Sequence, residues 1–228
     1  MELLSAIILL IGVFIGGKYM EDLVLIVYEF ITVMFPAMVI IVTFYKQYKK
    51  QNNIKNCWYI VLLMVFSVYL FGVYHYTGAG TIYDAKLYGM ELKANQLNLI
   101  PFSDTEIDFV AYGLNVVLFI PLGFLLPLIW SNFNKSKLIC IAGTSLSVVI
   151  EFSQLLNNRR TDVDDLILNT IGAMFGLMMF RMLLCITKHP SYQTGKYKHE
   201  MIIITLVTFF CRFFVYNEFG AAKVLFGF

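Results

Sequence analysis

The stretch of sequence that decides the fold class runs from Phe109 to Trp130 and reads FVAYGLNVVLFIPLGFLLPLIW. It contains no charged residue, and it is long enough for a helix to cross the hydrocarbon core of a bilayer, which takes about 20 residues. Inside that core the backbone must satisfy its own hydrogen bonds, so we expect a helix here. The run is continuously apolar and does not alternate, which argues against a strand of a transmembrane β-barrel.

Similar apolar runs recur on both sides of this stretch. The predicted spans are Leu3–Gly17, Leu23–Tyr45, Cys57–Thr77, Phe109–Trp130, Leu138–Leu156, Leu166–Ile186 and Met201–Tyr216. Of the 228 residues, 59% are hydrophobic and 14% are charged, and the mean hydropathy is +0.74. A soluble domain of this length could not bury so much apolar surface in one core. We therefore expect an all-α, polytopic transmembrane helical bundle of about six or seven spans, with the lipid bilayer as its solvent.

The placement of charge in the loops predicts the orientation of the chain. The basic residues are Lys46, Lys49, Lys50 and Lys55 in one loop, Lys135 and Lys137 in another, and Lys188, Lys196 and Lys198 in a third. The loops between them are acidic or mixed. By the positive-inside rule the Lys-rich loops are cytoplasmic and the acidic ones are extracytoplasmic. The N-terminus is then expected inside and, with seven spans, the C-terminus outside.

The histidines and cysteines do not form a pattern that binds a metal. The residues are His75, His189 and His199, and Cys57, Cys140, Cys185 and Cys211. None of their spacings is typical of a zinc site, and no cysteine lies in a predicted outward loop, so no disulfide framework is expected. There is also no phosphate-binding glycine loop, nucleotide motif or Ser–His pairing. We therefore expect no metal, no cofactor and no nucleic-acid partner.

Polar residues within the apolar runs are the informative exceptions, because a charged group in hydrocarbon costs about 2.5 kcal/mol or more unless it is paired or hydrated. Glu151 and Gln154 share one face of the predicted fifth span. Glu151 lies about five residues, or roughly 7.5 Å, from the end of that helix. Two interpretations remain open, a ligand-binding or acid–base pair in an outward cavity and a helix–helix hydrogen bond that fixes packing. Glu29, in the second span, could line the same cavity, but the favoured expectation is that it snorkels towards the surface.

The loop that follows Glu151 is rich in charge and leads directly into the next helix. Arg159 could pair with neighbouring aspartates or hold a phosphate or carboxylate bidentately. Asp164 and Asp165 stand at the helix start, where capping and the helix dipole alone would explain a carboxylate. Asp165 also shares a face with Asn169, and Gly172 with Gly176 predicts close approach of a neighbouring helix.

Together, four segments are expected to bring polar groups to one side of the membrane. The predicted ligand-binding residues are Asn98, Asn115, Glu151, Gln154, Arg159, Asp162, Asp165 and Asn169. If the site is catalytic, Glu151 and Asp165 are the candidates for the reacting carboxyl groups. A carboxylate-rich pocket that contains Asn and Arg and opens to the outer leaflet is the resulting expectation.

These segments resemble the VanZ-like family of bacterial membrane proteins. The blocks that carry the resemblance are Asn-Leu-Ile-Pro-Phe at 98–102, Asn115-x-x-x-Phe-x-Pro-Leu-Gly-Phe, Ser147-x-x-x-Glu-x-x-Gln, and Arg159-x-x-Asp-x-Asp-Asp-Leu-x-x-Asn-x-x-Gly. Their order and spacing together are specific, and they run from Asn98 to Phe180. Thr161 is a departure, because the family more often has a bulky apolar residue before the aspartate.

The resemblance implies a multi-pass protein of the bacterial cell membrane that is associated with reduced susceptibility to teicoplanin-type lipoglycopeptides. It divides the chain into N-terminal helices (1–77) outside the resemblance, a VanZ-like core (78–186) and a C-terminal loop, helix and tail (187–228). The expected partner is a lipid-linked cell-wall precursor or the lipoglycopeptide itself, bound on the extracytoplasmic side. The alternative is an intramembrane hydrolase or transferase that uses Glu151 as general base. A transporter would call for an internal repeat that the sequence lacks.

Overall fold

The computed structural model describes residues 17–52, 58–89, 96–103, 108–157, 159–187 and 198–226, and the chain in these segments is almost entirely helical. The helices are α1 (Gly17–Asn52), α2 (Trp58–Thr77), α3 (Ile82–Tyr88), α4 (Phe109–Ile129), α5 (Ser136–Leu155), α6 (Val163–Thr187), α7 (Lys198–Phe210) and α8 (Glu218–Phe226). A 3-10 turn (Ser131–Phe133) follows α4, and a π-helical turn (Cys211–Val215) continues α7. Two short strands, β1 (Leu97–Asn98) and β2 (Thr161–Asp162), pair in parallel.

The described helices confirm an all-α bundle of membrane-spanning length. Within the described residues, 5 segments are long and apolar enough to cross a membrane, and the bent pair His199–Val215 and Glu218–Leu225 makes up to 6. The five are Glu21–Lys50, Trp58–Tyr88, Phe109–Ile129, Ser136–Leu155 and Val163–Thr187. The predicted first span, Leu3–Gly17, lies outside the described residues except for Gly17.

The bundle turns apolar side chains outward, as a protein surrounded by lipid should. Phe35 is 68% exposed on α1, Phe109 is 79% exposed on α4 and Phe152 is 67% exposed on α5. In water such rings would be placed in a core, because burying a large side chain contributes about 1.5–3 kcal/mol. The bilayer is therefore the environment that this surface suits.

Helices α4 and α6 form the tightest pair in the bundle, and glycines allow it. A Cβ on Gly172 would lie 2.1 Å from the Val116 carbonyl oxygen, and one on Gly176 would lie 2.0 Å from that of Ile120. From the other side, a Cβ on Gly123 would lie 1.7 Å from the backbone of α6. The close approach predicted from Gly172 and Gly176 is confirmed, and it brings the N-terminal ends of α4 and α6 together.

A buried carboxylate joins three helices at the opposite end of the bundle. Glu200, at the start of α7, is 6% exposed and accepts hydrogen bonds from the Tyr59 hydroxyl and from Trp130 Nε1, the latter at 3.0 Å. Tyr59 belongs to α2 and Trp130 ends α4. This contact holds α7 against the bundle.

Candidate functional site

The short β1–β2 pair brings the connector before α4 against the loop between α5 and α6. Asn98 pairs in register with Asp162, and Asn98 Nδ2 donates to Asp162 Oδ2 at 3.0 Å. Asn98 Oδ1 accepts from the Ser103 hydroxyl at 3.0 Å. This bond closes the Asn98–Phe102 block into a turn. Two predicted site residues 64 positions apart are therefore in direct contact.

Asp164 anchors this folded connector and is not available to a ligand. Its side chain is buried, with the residue 1% exposed, and Oδ1 accepts from the Phe102 N–H at 2.8 Å. The Tyr112 hydroxyl of α4 donates to the other oxygen. Phe102 itself has a φ of +52°, a left-handed conformation that side chains rarely adopt, so the bond to Asp164 holds an unusual turn. Its role is structural, but Asp164 does not cap α6, because the Asp164 N–H itself donates to Asp162 Oδ1 at 3.0 Å.

The neighbouring carboxylate, Asp165, faces the interior of the bundle and meets two predicted site residues. Asn115 Nδ2 of α4 donates to Asp165 Oδ1, and the Asp165 and Glu151 carboxyl groups lie close enough to interact electrostatically. Helices α4, α5 and α6 thus each contribute one polar side chain at the same level.

The loop backbone completes this group. Glu151 is 6% exposed, and its Oε2 accepts from the Asp162 N–H at 3.3 Å. The Thr161 hydroxyl donates to the Glu151 carbonyl oxygen at 3.1 Å, so the residue that departs from the family pattern still anchors the loop. We call Asn115, Glu151, Asp162 and Asp165 the carboxyl cluster.

Asn169 lies one helical turn below the carboxyl cluster and is 3% exposed. Its Nδ2 donates to the Ser147 hydroxyl at 2.9 Å, which ties α6 to α5. Its Oδ1 is buried and has no hydrogen-bond partner among the described residues. A buried acceptor left unpaired costs about 1–3 kcal/mol, so the Asn169–Ser147 hydrogen bond satisfies only half of this amide.

Gln154 and Arg159 lie outside the carboxyl cluster and contact the end of α2. Gln154 Nε2 and Arg159 Nη1 both donate to the Thr77 carbonyl oxygen, at 2.7 Å and 2.9 Å. That carbonyl belongs to the last turn of a helix and has no partner within the helix. Glu151 and Gln154 are three residues apart, yet Glu151 contacts the loop before α6 and Gln154 contacts the end of α2.

Further contacts from α5 and its following loop fix the turn between α2 and α3. Asn157 Nδ2 donates to the Gly78 carbonyl oxygen at 3.1 Å, and the Gly80 N–H donates to the Ser153 hydroxyl at 3.1 Å. Gly78 has a φ of +63° and a Cβ there would lie 2.5 Å from Arg159 Nη1. The backbone conformation thus favours glycine, whereas the Arg159 guanidinium packed on Gly78 would only have to shift to admit a Cβ.

The chain matches the VanZ/LLP1 family model over residues 24–185, which is more than half of its length. It belongs to this family. No curated protein and no solved structure matches the sequence at a significant level. The VanZ/LLP1 match reaches further towards the N-terminus than the motifs between Asn98 and Phe180, and it takes in most of α1 and all of α2.

Sequence reasoning found the VanZ carboxyl cluster but missed the residues that support it. Tyr112 and Ser147 hold Asp164 and Asn169, although Ser147 was named only as part of a family block and Tyr112 not at all. Both stand three or four positions from a predicted site residue on the same helix, which is the signal that could have found their role. The contact of Gln154 and Arg159 with α2 left no such signal. Among the described residues, no group of three or more His, Cys, Asp or Glu side chains is arranged to hold a metal ion.

Proposed function

We propose that this VanZ-family membrane protein lowers susceptibility to teicoplanin-type lipoglycopeptides by binding, at the outer leaflet, a lipid-anchored envelope molecule or the lipidated drug. The observation that carries the proposal is the carboxyl cluster itself. The neighbouring carboxyl groups of Glu151 and Asp165, with Asn115 bonded to Asp165, lie near the ends of three spans, where hydrocarbon makes unpaired polar groups costly.

The surroundings of the cluster suit a ligand with a polar head and an apolar tail. Leu99 is 71% exposed and Ile100 is 69% exposed in the connector, and Phe152 of α5 is 67% exposed. These side chains offer apolar surface next to the carboxyl groups. Carboxyl and amide groups bind hydroxyl, amide and ammonium donors, which peptide and sugar headgroups carry in quantity. The acyl chain of such a molecule would remain in the bilayer, which accounts for an effect on lipidated drugs above all.

The experiment compares teicoplanin and vancomycin susceptibility in a sensitive Gram-positive host that expresses wild type, Glu151→Gln or Asp165→Asn at matched membrane levels. Glu21→Gln is the control, because it changes a carboxylate of α1 outside the cluster. We expect wild type and the control to protect selectively against teicoplanin and both cluster variants to lose that protection. Wild-type protein that inserts correctly and yet gives no protection would contradict the proposal.

A second candidate function, hydrolysis or group transfer on a lipid-linked precursor, is favoured by the proximity of Glu151 and Asp165. Two neighbouring carboxyl groups in unlike surroundings can divide the roles of acid and base, with Glu151 as base. Glu151→Gln keeps the shape and removes the base. If the variant still binds a radiolabelled lipid-linked precursor in membranes but wild type alone converts it, the enzymatic interpretation holds. If neither protein converts it, that interpretation fails.

A further inference from the structure

A second polar site lies on the α1 side of the bundle, at the same end as the carboxyl cluster. A cleft of about 400 Å³ opens there between α1, the end of α2 and the π-helical turn after α7. Its volume falls within the range of small-ligand sites, roughly 300–1,000 Å³. None of the residues that line it belongs to the carboxyl cluster, and those from the π-helical turn onward lie beyond the VanZ/LLP1 match.

The floor of the cleft is a buried ion pair with a histidine. Glu29 is 2% exposed, its Oε1 lies 2.7 Å from Arg212 Nε, and its Oε2 lies 2.8 Å from His75 Nδ1. The expectation that Glu29 snorkels to the surface is therefore wrong, because a cation from a distant helix reaches it inside the bundle. The Arg212 guanidinium also stacks over the Tyr216 ring at 4.6 Å.

Arg212 is not fully satisfied by these contacts. It is 7% exposed, and its Nη1 is buried and has no hydrogen-bond partner among the described residues. A guanidinium has five N–H donors, and a charged donor buried without an acceptor is unfavourable. The arrangement is therefore incomplete without an acceptor beside Arg212, and the cleft is the space that Arg212 lines.

The rim of the cleft carries the opposite charge. Asp22 of α1 and Glu218 of α8 both line the opening and are exposed. An anion that approached Arg212 alone would meet these two carboxylates, whereas a simple cation would leave Arg212 without an acceptor. A molecule that carries both charges a short distance apart complements the whole cleft.

We propose that this cleft binds a zwitterionic headgroup, with a phosphate or carboxylate oxygen accepting hydrogen bonds from Arg212 and a primary ammonium group between Asp22 and Glu218. Leu25 and Ile26 of α1 line the same cleft, and Ile26 is 38% exposed, so acyl chains attached to such a headgroup would lie against apolar surface. The site does not depend on the function proposed for the carboxyl cluster. The same chemistry is found in an aminophospholipid and in its free, water-soluble headgroup.

The test is native mass spectrometry of the purified full-length protein in detergent, with phosphatidylethanolamine or phosphatidylglycerol added at equal concentrations. We expect wild type to prefer phosphatidylethanolamine by roughly tenfold, since its ammonium group, which phosphatidylglycerol lacks, would bind between Asp22 and Glu218. The double variant Asp22→Asn, Glu218→Gln should lose this preference, because both positions are exposed and the change removes only the rim charge. Glu21→Gln, one residue away in α1, is the matched control and should retain it.

Two further arms complete the experiment. Arg212→Lys keeps the positive charge but removes the forked donors, and it should weaken binding of phosphatidylethanolamine while the protein stays folded by size-exclusion chromatography. Competition with soluble phosphoethanolamine distinguishes the sources, since displacement indicates a free headgroup as ligand and its failure indicates the lipid. Equal binding of the two lipids by wild type, or an unchanged preference in the rim variant, would overturn the proposal. Because the carboxyl cluster is untouched, loss of teicoplanin protection in Glu151→Gln would not alter these results.

Discussion

Replacing Gly172 by alanine should destabilise the protein, because α4 and α6 touch backbone to backbone at this residue. The added Cβ would lie 2.1 Å from the Val116 carbonyl oxygen, and ordinary contact begins at 3.4 Å, so the helices would have to separate locally by about 1.3 Å. Overpacking of this kind costs about 1–3 kcal/mol. The same movement would stretch the hydrogen bond between Asn115 and Asp165, each of which lies within about two turns of the new methyl group.

The matched control is Gly113→Ala, which lies in α4 itself and has nothing within 4 Å of an added Cβ. Both substitutions gain up to about 1 kcal/mol of helix propensity, so the difference between the two variants isolates the packing cost. The assay is thermal unfolding of detergent-solubilised protein, followed by the fraction that remains monodisperse on size-exclusion chromatography. Gly172→Ala should melt several degrees below Gly113→Ala, at about 2–4 °C per kcal/mol. Equal melting temperatures would refute the close contact of α4 and α6.

Two other substitutions test how distant segments are held together. Glu200→Leu should destabilise the protein by about 2 kcal/mol or more in the same melting assay, because it leaves the buried Trp130 N–H and a tyrosine hydroxyl without an acceptor. Glu200→Gln retains an acceptor oxygen and should be much milder, and equal losses would exclude the hydrogen bonds as the cause. Gly78→Ala should cost about 1–2 kcal/mol for its φ of +63°. Adding Arg159→Ala removes the clash but not the backbone strain, so full recovery of the melting temperature would contradict this explanation.

The spans could be predicted from the sequence because the bilayer sets their length. An apolar run such as Phe109–Trp130 can satisfy its backbone hydrogen bonds in hydrocarbon only as a helix. The structure places α4 at Phe109–Ile129. α1 extends to Asn52, beyond the predicted end at Tyr45, since a helix need not stop where its apolar residues do. Each polar residue within these apolar runs was also informative, because in lipid a polar side chain is costly unless it has a partner.

The partners of those polar residues could not be predicted in the same way. Asp164 and Asp165 are adjacent in the sequence, yet one anchors the connector through Phe102 and the other faces Glu151. Which carboxylate turns inward depends on the rotation of α6 against α4, and this rotation is a property of packing. The pair formed by Glu29 and Arg212 could have been suspected, because two opposite charges in separate spans stabilise each other when they meet.

The turn after α2 lies between the two polar sites, and Gln154 and Arg159 hold it in place. Both side chains donate to the carbonyl oxygen of Thr77, two residues after His75, whose ring contacts Glu29 on the floor of the second cleft. Gln154 is in turn less than one helical turn from Glu151. The end of α2 is therefore held on one side by α5 and on the other by the ion pair. Residues of the family motif that do not belong to the carboxyl cluster thus fix the position of the N-terminal helices, whose inclusion in the VanZ/LLP1 match agrees with this contact.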